Sequence, residues 1–248
     1  VASEPGFYVR NSSGRQPLDI VGIGDLFRVN SSFKSSAEKF RESRLSKIVT
    51  KQTPWPLDGR SHFVLHFVPY RSLAGNFFLD VDLIKLNGFK RKEVAGSSPI
   101  NDFNYHPTQN FDGLLYRVAN GPIGTSWSNY YQLFRDGKFE AVDGEICLPL
   151  GMGKIGRDYL ESINKRLTEY TNGYLDFCRS NGIDGPIALF VSWIGCKGDY
   201  RLGVLESLWR IEDDILPFPE ILIETKSNTV EALQPIFQIL WNSFGLEY

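Results

Sequence analysis

The sequence predicts an α/β protein, with α+β as the alternative class, in which a mixed β-sheet with hairpins is flanked by two long helices. Three observations predict this class. Apolar residues recur at helical spacing from about 155 to 180, an Asp136–Gly137 pair separates two strand-like runs, and the apolar run 186–194 has the length of one buried strand. An N-terminal strand–helix–helix arm is expected to precede the sheet.

The arm is predicted over residues 1–52. A strand at 7–10 is followed by a short helix that starts near Pro17, and a second helix runs from Ser36, a candidate N-cap, to Val49. Two prolines that follow break regular structure, so a domain boundary is placed there and a second domain is expected over 53–248.

Alternating apolar patterns and turn residues define the elements of the second domain. The Asp136–Gly137 turn is expected to have two residues, both with positive φ. Asn181–Gly182 is expected to end the long helix, and Asn228 with Glu231 resembles a capping box at the start of the last one. The predicted elements are strands at 62–68, 114–118, 130–135, 138–142 and 186–194, a hairpin partner of that last strand at 200–209, a strand at 218–226, a short helix at 77–86, a polar loop at 87–109, and helices at 155–180 and 228–244.

Composition and charge exclude some classes of protein. The net charge of −2 gives no overall attraction to nucleic acid or to an anionic membrane, so any basic surface has to be local. No apolar run reaches the length of a membrane span, and the N-terminus has no signal-peptide pattern. Three cysteines without a Cys-x-x-Cys spacing are typical of a reduced intracellular protein. These features predict a cytoplasmic protein with no membrane partner.

One segment has the pattern of a metal-dependent nuclease. The apolar run 221–223 continues into Glu224, Thr225 and Lys226. Because side chains of a strand alternate, the carboxylate of Glu224 and the ammonium group of Lys226 are expected on the same face of this strand. Restriction-type nucleases present a metal-binding carboxylate and a lysine in this way, and Asp199 on the preceding strand is the candidate second carboxylate for Mg²⁺. An alternative prediction leaves the segment as a strand end in solvent and Asp199 as an ordinary turn residue.

The histidines do not predict a metal site. His62 and His66 share one strand face, but four residues along a strand correspond to about 13 Å, which is too far for one ion. We expect both to be structural or exposed.

The first residues resemble a known family. A strand ending in Tyr8-Val9-Arg10, a Ser12-Ser13 turn, Arg15 and then an apolar helix resemble the C-terminal end of the Schlafen-type AlbA-like domain, whose pattern is YxR-(V/I)-G-S-S-T-R. Gly14 stands where that pattern has threonine. The remainder of the chain is similar to the region that follows this domain in bacterial proteins regarded as ATP-binding or helix-turn-helix proteins.

The resemblance implies a function associated with nucleic acid. In the family, the part that precedes Val1 is linked to nucleic acid and, in animal Schlafens, to RNA cleavage by clustered carboxylates. We therefore expect the chain to be the rear part of a longer protein whose earlier part carries the activity. None of the family's catalytic residues can be assigned to a position in this sequence.

Two functions follow as hypotheses. The first is a non-catalytic sensing, regulatory or assembly domain, without cofactor, of a nucleic-acid-associated protein in transcriptional regulation or phage defence, with a protein partner or self-association. The second is an Mg²⁺-dependent nuclease that uses Asp199, Glu224 and Lys226. Under the first hypothesis, a basic surface of the arm contacts phosphates; the alternative is a solvated helix face. The residues predicted to contact nucleic acid are Arg10, Arg15, Lys39, Arg41, Arg44 and Lys47.

Overall fold

The computed structural model describes residues 8–11, 14–17, 20–57, 61–73, 75, 77–87, 107–118, 129–144, 154–202 and 207–248. The helices in this part of the chain are α1 (Ile20–Val49), α2 (Tyr70–Leu73), α3 (Val81–Asn87), α4 (Arg157–Ser180) and α5 (Thr229–Asn242). The strands are β1 (Tyr8–Asn11), β2 (Gly14–Pro17), β3 (His62–Pro69), β4 (Thr108–Gln109), β5 (Gly113–Val118), β6 (Asn129–Phe134), β7 (Phe139–Asp143), β8 (Lys154–Ile155), β9 (Ile187–Ile194), β10 (Gly198–Leu202), β11 (Ser207–Ile211), β12 (Ile215–Pro217) and β13 (Ile221–Ile223).

An eight-stranded sheet forms the centre of the structure and confirms the predicted α/β class. Its strands run in the order β12, β9, β3, β7, β6, β5, β4, with β13 also paired to β9. Each pairing in this sheet is antiparallel. A separate hairpin joins β1 to β2, and a small sheet joins β11, β10 and β8.

Helices cover both faces of the sheet. Phe63, Leu65 and Phe67 of β3 belong to the large core beneath α4 and α5, whereas Val64 and Val68 belong to two smaller clusters beneath α1. This division arises because successive side chains of a strand point to opposite faces. All eight residues of β3 are buried, so the molecule has three layers, with α1 on one side of the sheet and α4 and α5 on the other.

The two long helices on the large core lie where the sequence predicts them. α4 buries one face, including Leu160, Ile163 and Tyr170, as the helical spacing of its apolar residues predicts. α5 begins after Asn228, whose Oδ1 accepts a hydrogen bond of 3.2 Å from the backbone N–H of Val230 and thereby satisfies a free donor at the helix start.

The N-terminal arm differs from its prediction, because the two expected helices are one. α1 runs without interruption from Ile20 to Val49. Gly22 and Gly24 each cost a helix only about 1 kcal/mol, and the later turns are held by contacts of Phe33 and Ala37 with the sheet. The second half of α1 is thus part of the same packed unit as the sheet, and the predicted boundary at residues 53–57 falls inside that unit.

The β6–β7 hairpin is confirmed, but its turn is longer than predicted. Gly137 has a φ of 87°, whereas Asp136 does not have a positive φ. The N–H of Gly137 donates to the carbonyl of Phe134 and the N–H of Phe134 to the carbonyl of Lys138, both at 2.9 Å. These bonds enclose a three-residue loop with glycine in the left-handed position, the second commonest hairpin connection.

Two predicted strands were wrong in their pairing or length. The described residues of this range, 200–202 and 207–209, lie in β10 and β11, which pair with each other and not with β9; residues 203–206 lie outside the described part of the chain. The strand expected at 218–226 is reduced to the three residues of β13. Pro219 lacks the N–H that a ladder needs, and after Ile223 the chain turns, with the N–H of Ser227 bonded to the carbonyl of Glu224. No helix in the described ranges combines the length and the hydropathy that a membrane span requires.

Candidate functional site

The predicted nuclease residues are not brought together. β13 ends at Ile223, and Glu224 and Lys226 lie in the turn that follows, closed by a 2.9 Å bond from the N–H of Ser227 to the carbonyl of Glu224. Both side chains are exposed. The premise that they share a strand face is therefore wrong.

Asp199 lies near the other end of β9. It is in β10, next to Tyr200, whose ring centroid is 5.8 Å from that of Trp193. β13 pairs with β9 at Ile187, Ala188 and Leu189, so the two places are separated by about 20 Å along β9. In the described part of the chain, no three His, Cys, Asp or Glu side chains are grouped closely enough to hold a metal ion.

The predicted nucleic-acid residues divide into two groups. Arg10 and Arg15 are directly opposite each other in the β1–β2 hairpin, and Lys39 and Lys47 are exposed on α1. Arg44 is only 6% exposed, so the prediction that it contacts nucleic acid is corrected: its guanidinium group lies inside the protein.

Arg41 also turns inwards. Its guanidinium carbon lies 5.2 Å from the centroid of the Phe190 ring, on the sheet beneath α1. The basic residues of α1 therefore do not form one continuous surface. Lys39 and Lys47 stay outside, while Arg41 and Arg44 face the sheet.

Arg44 forms a buried cluster with the central strand β7. Its Nε and Nη2 donate to the two carboxylate oxygens of Glu140 at 2.8 and 2.7 Å. The hydroxyl of Tyr130 donates to the same carboxylate at 2.8 Å, and the Nε2 of His66 lies 2.9 Å from it. Glu140 and His66 are both 0% exposed. We call these four residues the Glu140 cluster.

Strand pairing assembles the Glu140 cluster. His66 is opposite Glu140 between β3 and β7, and Glu140 is opposite Gln132 between β7 and β6. Tyr130 is two residues before Gln132 and therefore on the same face. Arg44 comes from α1 and is the only cluster member that does not belong to the sheet.

Arg44 and Glu140 form a buried ion pair at the centre of the Glu140 cluster. Burial by itself raises the pKa of Glu140, but the hydrogen bonds and charges of Arg44 and His66 outweigh burial and lower that pKa to about 2. Glu140 is thus an anion near neutral pH, and because a carboxylate only accepts hydrogen bonds, the Nε2 of His66 carries a proton. Burial, followed by the nearby Glu140 charge, raises the pKa of Tyr130 well above its usual value, which keeps its phenol neutral.

A second cluster lies on the opposite face of β7. Arg166 of α4 donates from Nε to Oδ2 of Asp143 at 3.2 Å, and the hydroxyl of Tyr170 donates to the same oxygen. Because Tyr170 has a single hydroxyl proton, Tyr131, whose hydroxyl is 2.9 Å away, donates to Tyr170. We call these four residues the Asp143 cluster.

The two clusters have the same structural role. Each joins an arginine of a covering helix to a carboxylate of β7, so α1 and α4 are both attached to one central strand. A buried ion pair adds little net stability because desolvation offsets attraction, but it disfavours any other position of the helix. Both carboxylates are buried, so neither can contact a substrate in this arrangement. The clusters instead hold α1 and α4 in position on the sheet.

Sequence reasoning missed both clusters. The available signal was charge at buried strand positions: Glu140 and Asp143 stand among Phe139, Ala141 and Val142 in a strand that is buried throughout. Of the two places predicted for His66, structural or exposed, the structure shows the first: the side chain is buried beside Glu140. No family model, curated protein or solved structure matches the chain. The residues themselves therefore carry the evidence for function.

Proposed function

We propose that the chain is a non-catalytic regulatory or assembly module of a nucleic-acid-associated protein. In this proposal, the β1–β2 hairpin belongs to an AlbA-like part that contacts nucleic acid, and the three-layer unit senses a partner. α1 is the connection between them. The proposal takes its nucleic-acid component from the resemblance of residues 7–15 to the Schlafen-type AlbA-like domain.

One observation carries the proposal. α1 is a single helix of 30 residues that begins shortly after the hairpin and is attached to β7 through Arg44. A helix of this length spans about 45 Å and transmits displacement as a rigid element. A change in how α1 sits on the sheet would thus alter the position of the hairpin.

The non-catalytic part is supported by the separation of the three predicted nuclease residues in the described part of the chain. Glu224 and Lys226 occupy an exposed turn at one end of β9, and Asp199 lies towards the other. We expect the chain to cleave neither DNA nor RNA with Mg²⁺ or Mn²⁺. Metal-dependent cleavage that Glu224→Ala abolishes would overturn this part of the proposal.

Nucleic-acid binding tests the other part. Fluorescence anisotropy with labelled single-stranded RNA and double-stranded DNA should show binding at low salt. The double variant Arg10→Ala/Arg15→Ala should weaken it and reduce the salt slope by about two, one for each lost phosphate contact. Lys39→Ala/Lys47→Ala should have a smaller effect in the same direction.

A matched control separates these contacts from general charge. Lys165 and Lys226 are exposed lysines on α4 and after β13, so Lys165→Ala/Lys226→Ala removes the same charge elsewhere and should leave the affinity unchanged. Equal losses in the control and in the Arg10/Arg15 variant, or no binding at 50 mM salt, would contradict a nucleic-acid role for the hairpin.

A further inference from the structure

The sheet face beneath α1 is polar in its centre. The strand registers place Phe190, His66, Glu140 and Gln132 side by side across β9, β3, β7 and β6. Three of these four are polar and 0% exposed. A face that stays covered is usually apolar, because burying polar groups costs free energy unless every one is satisfied.

Among the side chains of α1 that the structure describes, apolar contacts with the sheet come from two small clusters and from Phe40, whose ring packs against those of His66 and Phe134. One cluster joins Phe33 and Ala37 to Val68, Ala188 and Phe190, and the other joins Ile48 to Val64 and its neighbours. These clusters have five and six buried residues, whereas the core beneath α4 and α5 is several times larger. Since apolar burial is the main source of stability, α1 is the most weakly held of the three long helices.

Several polar atoms under α1 lack partners. Among the described residues, Nε of Arg41, Nδ1 of His66 and Oγ of Ser192 are buried without a hydrogen bond. Ser192 is paired with Val64, which lies two residues before His66 in β3. Ser192 and His66 are therefore close to each other on the same face of the sheet. Each unsatisfied group costs roughly 1–3 kcal/mol, and water satisfies all three as soon as α1 leaves.

We propose that α1 is a releasable cover of this sheet face. It detaches as a unit, while α4, α5 and the sheet stay folded, and release uncovers the polar row of His66, Glu140 and Gln132. Arg44 is the closing contact, because it neutralises Glu140 only when α1 is docked. The inference goes beyond the proposed function and does not rest on it, since it concerns the attachment of α1 and not what the hairpin binds.

Cysteine labelling of two matched alanines tests the proposal. Ala188 of β9 faces α1, and Ala141 of β7 faces α4; both are 0% exposed. Single variants Ala188→Cys and Ala141→Cys are treated with iodoacetamide in native buffer, and peptide mass spectrometry follows each site. We expect Ala188→Cys to react at least about tenfold faster, because local opening is more frequent than global unfolding. Native Cys178, buried in the large core, serves as an internal reference for global opening.

Val191→Ala distinguishes release from general instability. Val191 lies in the large core, which stays packed when α1 leaves, so this change added to each variant should accelerate labelling of Ala141→Cys and Cys178 while leaving Ala188→Cys within about twofold. Arg44→Ala should accelerate labelling of Ala188→Cys, because the Arg44–Glu140 pair is lost on release. Equal labelling at the two sites, or an equal acceleration of both by Val191→Ala, overturns the proposal.

If either cysteine variant does not fold, hydrogen exchange of the unaltered chain distinguishes release of α1 from unfolding of all layers together. Amides at 37–45 of α1 must then exchange faster than those in the middle of α4. Exchange of both helices at one common rate overturns the proposal.

Discussion

At the scale of single residues, Glu140 shows how this protein tolerates a buried charge. Three of its neighbours come from β3, β6 and α1, and together they occupy both carboxylate oxygens. Removing one member leaves the others buried without a partner, and this penalty exceeds the net value of the intact pair. Substitutions in the Glu140 cluster should therefore be costly although the cluster itself adds little stability.

Glu140→Gln is the direct test. The amide keeps the size of the side chain but loses the negative charge, and its NH₂ group faces the donors of Arg44. We expect the attachment of α1 to weaken by roughly 3 kcal/mol, measured by hydrogen exchange of amides 37–45. Glu42→Gln, on the exposed side of α1, is the matched control and should change protection by less than about 0.5 kcal/mol. Equal effects of the two variants would contradict the assigned role of Glu140.

The Glu140 pKa of about 2, below its ordinary value of 4.5, predicts an acid transition. A carboxylate whose pKa is lower in the folded state stabilises that state above its unfolded pKa and loses the contribution as pH falls. The attachment of α1 should thus be constant above about pH 5 and weaken between about pH 4.5 and pH 2. Near-UV circular dichroism of the buried tyrosines measures this change. A Glu140→Gln variant should lack the part of the transition that belongs to this residue, and an unchanged profile would refute the assignment.

Two cysteines should be inert in the native protein. Burial raises the pKa of the Cys178 thiol and of the Cys196 thiol to about 12, so the reactive thiolate is scarce at neutral pH. Iodoacetamide at pH 7.5 should leave both peptides unmodified until denaturant is added. Mass spectrometry of each peptide makes the result independent of Cys147. Rapid native labelling of Cys178 would show that the large core opens more readily than its packing implies.

At the scale of elements, the β6–β7 hairpin depends on one glycine. Gly137 has a φ of 87°, and a Cβ there would lie 3.1 Å from the Phe77 ring. We expect Gly137→Ala to destabilise the protein by about 1–2 kcal/mol in urea denaturation, because backbone strain and crowding act together. Gly156, with a φ of −126° and open space around its Cβ position, provides the control, and Gly156→Ala should be close to neutral. A neutral Gly137→Ala would mean that the loop relaxes to a different turn.

Elements with a strong local pattern were predictable from sequence. α4 and β9 lie within about two residues of their predicted bounds, since helical spacing and a short apolar run bounded by turn residues are local properties. The continuity of α1 was harder to predict. Tertiary contacts of Phe33 and Ala37 maintain it, and no local propensity encodes those contacts. The predicted pairing of β10 with β9 was wrong for the same reason. Proximity in sequence suggested β9, but the structure pairs β10 with β11.

The Glu140 cluster could not be predicted from the sequence for a related reason. Arg44 and Glu140 are 96 residues apart, and their contact requires β7 between β3 and β6 together with α1 across that face. A lone glutamate in an apolar strand indicates a buried carboxylate, but not which cation meets it. Sequence could have identified Glu140 as unusual. The strand order is needed to identify His66 and Tyr130 as its partners, and the position of α1 is needed to identify Arg44.

At the scale of the whole molecule, the two faces of the sheet differ in the side chains that attach their helices. The face under α4 and α5 carries the large core, including the fully buried Trp193 and Phe237, with the Asp143 cluster embedded in it. The face under α1 alternates small apolar clusters with the Glu140 cluster. The first arrangement favours a permanent fold, and the second favours a helix that is held in one position and can leave it.

Two valine substitutions compare the faces directly. Val191 of β9 faces the large core, and Val142 of β7 faces α1; both are 0% exposed. The change to alanine removes the same two methyl groups at each site. We expect Val191→Ala to lower the free energy of global unfolding by about 2 kcal/mol, because the cavity lies in a core that cannot rearrange. Hydrogen exchange of the slowest β9 amides measures this quantity.

Val191→Ala should leave the exchange of amides 37–45 in α1 unchanged, because the large core stays packed when α1 leaves the sheet. Val142→Ala should instead accelerate the exchange of these α1 amides and of β9 by the same free energy, because the contact between Val142 and α1 is lost on release and on global unfolding alike. If Val191→Ala accelerated exchange in α1 as much as in β9, the three layers would unfold as one unit, and the distinction between the permanent and the releasable face would have to be abandoned.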